Sequence, residues 1–165
     1  MKTIICEKLP RITKARRKLE GTLDVKITNR GKEVTINGTP ENEYSAEKVI
    51  DALNFGFPFS DAMEIKKHDF IFEVINIKDH TKRKDMGRIK ARIIGTQGKT
   101  LQTLCNLTNC HFEIKDNFVG IIGPPEHIKN AEEAIIFIIK GAKQGNVYAN
   151  LERNQVKEEV DLGLK

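Results

Sequence analysis

The chain has 165 residues, 39% hydrophobic and 31% charged, a balance that supports one mid-sized domain or two small ones with packed cores. Lys and Arg outnumber Asp and Glu by 28 to 23, an excess modest enough for its distribution to matter more than its total. No apolar run reaches the roughly 18 residues of a membrane helix, and the opening MKTIICEKLPR breaks off too early for a signal peptide. Three cysteines without a CxxC argue against a disulfide scaffold or zinc ribbon, so a cytoplasmic protein with reduced thiols and no membrane partner is expected.

In chain order, residues 2–6 predict a strand and residues 12–20 a basic helix. Residues 23–28 and 33–37 read as strands around the turn Asn29-Arg30-Gly31, and residues 43–55 as a helix. Phe55, Phe57 and Phe59 around Pro58 predict an aromatic plug between two domains, followed by a short helical stretch from Asp61. Residues 70–77 are rich in β-branched and aromatic side chains and predict a strand. Residues 82–94 predict a helix with Met86, Ile89 and Ile93 inward, interrupted by Gly95-Thr-Gln-Gly98. A second helix follows with Leu101, Leu104, Cys105 and Thr108 on one stripe. Two alternating runs, 110–115 and 118–122, turn at Asp116-Asn117. Gly123-Pro-Pro125 opens a helix whose stripe is Ile128, Ala131, Ile135 and Ile138, and a tail helix carrying Val147, Tyr148, Leu151 and Val156 is expected after Gly141.

An internal repeat organises these elements. At an offset of 85, residues 38–50 fall on residues 123–135 with six of thirteen positions identical, among them Gly38, Pro40 and Glu41 with their partners. The same offset pairs Leu19 with Leu104, Val25 with Cys110, Val34 with Val119, Ile36 with Ile121 and Gly56 with Gly141. Chance does not supply Gly, Pro and Glu matches at unbroken spacing.

Charge is uneven along the chain. Residues 1–20 hold seven basic and two acidic side chains, residues 78–100 eight and two, whereas residues 31–69 hold four and eight. A solvated helix face is the ordinary meaning of one basic run. Two such runs at equivalent places in a repeat, one enclosing a Gly-x-x-Gly loop, point to a polyanion. Glycines let the backbone turn sharply and let a sugar–phosphate chain approach without a Cβ in the way. The loop amides and the start of the next helix offer a positive end to phosphates. Arg88, Arg92 and Lys99 stand around this loop.

Arg92-Ile-Ile-Gly-Thr-Gln-Gly-Lys99, with Val119-Gly-Ile-Ile-Gly123 downstream, resembles the type I KH domain, whose GxxG loop clamps single-stranded RNA or DNA. The paired units, Lys82-Arg-Lys84 and the segment Gly141–Arg153 look like the archaeal KH ribosomal RNA-processing factors, counterparts of the eukaryotic small-subunit assembly factor partner of Nob. The resemblance implies an α+β fold of two tandem type I KH-like units, each a small three-stranded sheet packed by helices, plus a C-terminal tail helix. The expected divisions are 1–56, a degenerate unit without GxxG; 57–69, a linker; 70–143, the unit with the loop; and 144–165, the tail. It also implies a non-enzymatic factor binding single-stranded RNA near the 3′ end of the small-subunit rRNA. Partners implied are an rRNA-trimming endonuclease and the alpha subunit of archaeal translation initiation factor two. No cofactor is implied.

On this resemblance the RNA-binding residues are Arg88, Ile89, Arg92, Ile93, Gly95, Thr96, Gln97, Gly98, Lys99, His111 and Glu113. Core packing competes for Ile89 and Ile93, and solvent exposure for His111 and Glu113. An auxiliary basic surface comprises Lys14, Arg16, Arg17 and Lys18 in the first unit and Lys82, Arg83 and Lys84 in the second. At the offset of 85 the loop falls on Pro10-Arg-Ile-Thr13, without glycine, so the first unit is expected not to clamp RNA in this way. Cys105, Cys110 and His111 invite a metal reading, but Cys105 and Cys110 read as buried packing residues, and no Ser-His-Asp, HExxH or P-loop pattern is present. A protein–protein adaptor using KH-shaped surfaces for docking is the alternative.

Overall fold

The computed structural model describes residues 1–155. Its first sheet contains β1 (Lys2–Ile5), β2 (Lys26–Arg30) and β3 (Glu33–Asn37), antiparallel in the order β1-β3-β2. Its helices are α1 (Leu9–Leu23), α2 (Pro40–Phe55) and α3 (Phe59–Lys67). The second sheet, β4 (Ile71–Asn76), β5 (His111–Lys115) and β6 (Phe118–Gly123), has the corresponding order β4-β6-β5. With it go α4 (Met86–Ile94), α5 (Lys99–Thr108), α6 (Pro125–Ile139) and α7 (Gln144–Arg153).

The repeat is a repeat of contacts. Ile27 pairs with Ile36 across β2 and β3, and Phe112 with Ile121 across β5 and β6, each 85 residues on. Leu19 and Leu104, Val34 and Val119, and Ile50 and Ile135 are buried in the two cores. α1 and α5 both end on a left-handed residue, Asp24 and Asn109, which are among the few side chains that tolerate that backbone. The repeated glycine has a packing cause. A Cβ on Gly38 would lie 2.9 Å from Val25 Cγ1, and one on Gly123 would meet the Sγ of Cys110, the residue paired with Val25.

Two expectations change. Residues 57–69 are not a mere linker: Ala62, Met63 and Ile65 of α3 are buried in the first core, and α3 begins 85 residues before α7. Each unit therefore closes with a helix packed on its own core, because Ala62 and Val147 occupy paired buried positions. The helix expected from Lys82 starts only at Met86, after a 3-10 turn over Ile77–His80, so Lys82-Arg-Lys84 precedes it as an exposed irregular segment. Val156, assigned above to the tail stripe, lies outside the described residues.

Val119–Gly123 of β6, the central strand of the second sheet, are buried on both faces. Val119 and Ile121 face their own helices, while Gly120, Ile122 and Phe72 face the first unit, where Ile122 joins the first core. Phe55 and Phe57 stack at 5.9 Å between centroids, each meets Phe72 edge-on, and both lie against the bare backbone of Gly120. They form the expected plug. Phe59 does not join it, since as the first residue of α3 it turns towards Lys18 on α1.

Candidate nucleic-acid interface

Strand geometry first shows how much the two units differ at the loop. Ile4 and Ile75 both pair with the repeated valine, Val34 and Val119, so the first strands correspond at an offset of 71. Downstream the offset is 85. The second unit thus carries fourteen extra residues between its first strand and α5, and these supply α4 and its approach. The first unit has no counterpart of α4: Pro10-Arg-Ile-Thr13 is the first turn of α1, where proline costs nothing because that N–H has no helical partner.

In the second unit α4 ends at Gly95 and α5 begins after Gly98. Gly95 adopts φ 78°, ψ 173°, a region essentially reserved for glycine, and a Cβ there would collide with the side chain and amide of Thr100. Gly98 has φ 74°, and the space its Cβ would fill is empty, so a phosphate chain can approach its backbone. Gln97 also has positive φ, and Thr96 and Gln97 lie exposed at the tip. The Gly98 N–H donates to the Gly95 carbonyl at 3.2 Å and closes the turn. No side chain caps α5 and its first turn holds no acid, which leaves its positive end for an external anion.

An open cleft of about 520 Å³ runs beside this loop. Arg88 from α4 and Lys99 from α5 flank it, both exposed and without a carboxylate partner among the described residues. Gln144 and Tyr148 of α7, one helical turn apart, form its far wall. Sequence reasoning missed these two. Their spacing from Val147 and Leu151, the buried positions of α7, was the available signal.

Several predicted residues are placed otherwise. Ile89 and Ile93 are buried in the second core, 3% and 0% exposed; the apolar side chain open beside the loop is Ile94. Arg92 lines the cleft, yet its guanidinium donates to the carbonyls of Ile138, at 2.9 Å, and Ala142. It is a strut between α4 and the end of α6 before it is a phosphate ligand. The first unit repeats the strut: Arg11 donates to the carbonyls of Leu53 and Phe57, each 85 residues before its counterpart. The guanidinium occupies an equivalent place but is delivered from α1, because α4 is missing there.

His111 and Glu113 alternate with the core-facing Phe112 and Ile114, and so face the first unit rather than the cleft. His111 Nε2 is 3.0 Å from Glu64 Oε2 and its Nδ1 is 3.7 Å from Asp61 Oδ1, both on α3. Glu113 packs against Gly56 near Lys8 and Arg11, and burial pushes its carboxyl above the ordinary range despite those cations. Lys82, Arg83 and Lys84 are exposed before α4, and Lys14, Arg16, Arg17 and Lys18 are exposed along α1, with Arg16 paired to Glu20. Cys110 is buried and hydrogen-bonded to the Thr108 carbonyl, its thiol pushed up to about 11 by burial. Among the described residues no three His, Cys, Asp or Glu side chains are grouped to hold a metal ion, and no helix is long and apolar enough to cross a membrane.

Comparison with known proteins agrees with this geometry. A KH domain-containing protein of Methanocaldococcus jannaschii is 30% identical over 75% of this chain and 57% of its own length. The pre-rRNA-processing protein PNO1 of Yarrowia lipolytica is 34% identical over 78% of this chain and 53% of its own. The chain spans about half the length of these curated relatives. The crystal structure of Dim2p from Pyrococcus horikoshii is 27% identical, covers 92% of this chain and 98% of its own, and superposes with a TM-score of 0.83. A structure from the same organism titled as an a/eIF2alpha–aDim2p–rRNA complex matches with 26% identity, 93% coverage of each chain and a TM-score of 0.83. Residues 71–156 match the family described as Eukaryotic type KH-domain (KH-domain type I), in the form of the second KH domain of PNO1, and the chain belongs to this family.

Proposed function

We propose that this chain is a single-stranded RNA-binding factor acting in maturation of the small ribosomal subunit, without catalysing a reaction itself. The observation that carries the reading is the exposed Gly95–Gly98 loop opening an uncapped helix, with Arg88 and Lys99 beside it. Such a loop binds backbone: amides and cations hold phosphates, while unstacked bases turn into the neighbouring surface. The kind of relative matched supports rRNA as the ligand; we place the contact near the 3′ end of the small-subunit rRNA and the work in the cytoplasm. An rRNA-trimming endonuclease is the partner expected at that end.

Replacing both Thr96 and Gln97 with Asp places two negative charges at the exposed tip without touching the core. Binding of a labelled single-stranded oligonucleotide from the rRNA 3′ end, followed by fluorescence anisotropy, should weaken by at least tenfold while the melting temperature stays put. Each phosphate held by the parent should contribute about −0.7 to the log–log salt slope. Affinity unchanged in the double-Asp chain would overturn the reading.

The a/eIF2alpha in the related complex supports a second, compatible role: docking of the alpha subunit of archaeal initiation factor two on a surface away from the loop. Capture of that subunit by the double-Asp variant would separate the two roles.

A further inference from the structure

β4 pairs with β6 over its whole length and ends the second sheet on its other side. Among the described residues, none of its main-chain groups from Ile71 to Ile75 makes a main-chain bond outside the ladder with β6. The free side therefore presents alternate N–H and C=O groups that an extended chain can pair. Its register is continuous, without a bulge, and it holds no proline, so a single charge, Glu73, is left to blunt the edge. An open groove of about 300 Å³ lies beside the first half of the strand. α2 contributes Tyr44 and Lys48, the end of α3 and the turn after it contribute Ile65 and Asp69, and Phe72 and Glu73 complete the wall. No residue of β6 lines this groove, which sets it on the free side of β4.

The two faces of the strand differ in chemistry. Phe72 and Val74 share the face turned to the first unit. Phe72 meets Phe55 and Phe57 edge-on, whereas Val74 lies beyond their cover and is 45% exposed; Tyr44, in the groove wall, is 60% exposed. Glu73 belongs to the other face, beside Glu132 of α6. Burial first, and then the charges of Glu73 and Glu133, hold the Glu132 carboxyl above the ordinary range. No ion pair reaches Asp69, Glu73, Glu132 or Glu133 among the described residues. The one cation lining the groove, Lys48, lies over the Tyr44 ring, its Nζ 5.6 Å from the centroid. The edge thus carries exposed apolar side chains on one face and uncompensated acids on the other.

We propose that the free edge of β4 is a docking site for an extended segment of another protein in which apolar and basic residues alternate. The segment adds a fourth strand to the second sheet through its main chain. Its side chains alternate as those of β4 do, so the apolar ones cover Phe72, Val74 and Tyr44 while the basic ones stand opposite Glu73 and Glu132. The unpaired acids select this occupant. A second copy of the chain would bring another Glu73 and Glu132 against the first, and RNA would bring phosphates. The site is independent of the Gly95–Gly98 loop and of its ligand.

The test uses the full chain and a labelled peptide of about eight residues alternating valine and lysine, long enough to span the six residues of β4. Two control peptides keep its composition: one has the valines and lysines in separate blocks, the other has its main-chain nitrogens methylated. Fluorescence anisotropy should show the alternating peptide bound at least tenfold more tightly than either control, because main-chain pairing and the two-faced pattern are both required. Glu73→Lys should weaken it about tenfold by turning an attractive cross-strand pair into a repulsive one. Tyr44→Ala, which removes an exposed ring, should weaken it about fivefold. Thermal melts of both variants confirm that the fold is kept, and the amides of Ile71–Asn76 should exchange more slowly with peptide bound. Equal affinity for the three peptides overturns the inference, since charge alone would then explain binding, as does unchanged affinity in both variants. Competition between the peptide and the rRNA oligonucleotide overturns it by placing the peptide on the RNA surface. A dimer of the parent that the peptide dissolves overturns it by giving the edge to a second copy.

Discussion

Gly95→Ala tests the loop geometry most directly. The parent backbone at Gly95 lies at φ 78°, ψ 173°, and holding an alanine there costs about 1–3 kcal/mol. The added methyl would also lie 2.6 Å from the Thr100 Cβ and 2.7 Å from its amide nitrogen, contacts that only a shift of the α5 backbone relieves. Such overpacking costs about 1–3 kcal/mol more. Gly98→Ala adds its methyl to empty space, so it costs only the left-handed conformation, about 1–2 kcal/mol. If the loop escapes by relaxing, the RNA-competent conformer becomes a minor one and apparent affinity falls by its population. A penalty of about 2 kcal/mol or more then weakens binding about thirtyfold or more, against about fivefold to thirtyfold for Gly98→Ala. If it does not escape, urea denaturation reads the penalty as lost stability. Adding Thr100→Ala removes the hydroxyl but leaves the backbone nitrogen in place, so rescue should be partial. A Gly95→Ala chain within twofold of the parent in affinity and equal to it in stability would refute the reasoning, as would a larger effect at Gly98.

The other predictions concern the supports of the site. Arg92→Lys should cost about 1.5–3 kcal/mol by denaturation, because one ammonium cannot replace a fork donating to two carbonyls, and Arg11→Lys should cost a similar amount from the equivalent place. Gly120→Ala would put a methyl 2.7 Å from Phe55 Cε1 and 2.9 Å from Phe57 Cε2, so the melting temperature should fall by several degrees as the contact between the units is pushed apart. Glu113 is raised by burial, so the folded chain holds its proton more firmly than the unfolded chain and stability falls as pH rises through that window. Glu113→Gln should therefore be more stable than the parent at about pH 7 and indistinguishable at about pH 4, by thermal melts at each pH. Equal differences at both values would show that the carboxyl's ionisation is not the cause.

Local pattern alone was enough to lay out most of the architecture. Identical Gly, Pro and Glu at one offset disclosed the duplication, and alternation in 33–37 and 110–115 marked strands, because a half-buried strand must alternate. The glycine pair stood out for the same kind of reason: two positive φ angles close together select glycine at once. What a one-dimensional pattern cannot express is which second surface covers a face already satisfied by its own unit. His111 and Glu113 alternate correctly, which turns them away from the core face, and only the tertiary structure shows that α3 and Gly56 cover them there. Arg92 reads as a free cation until the end of α6 arrives beside it. The deletion of α4 from the first unit, hidden by a register that runs unbroken from α1 onward, became visible only when paired valines aligned the first strands. Sequence thus determined the elements, the repeat and the loop, whose causes are local; the tertiary structure decided which charges remain free for an external anion, because that depends on the carbonyls and carboxylates that folding brings within reach.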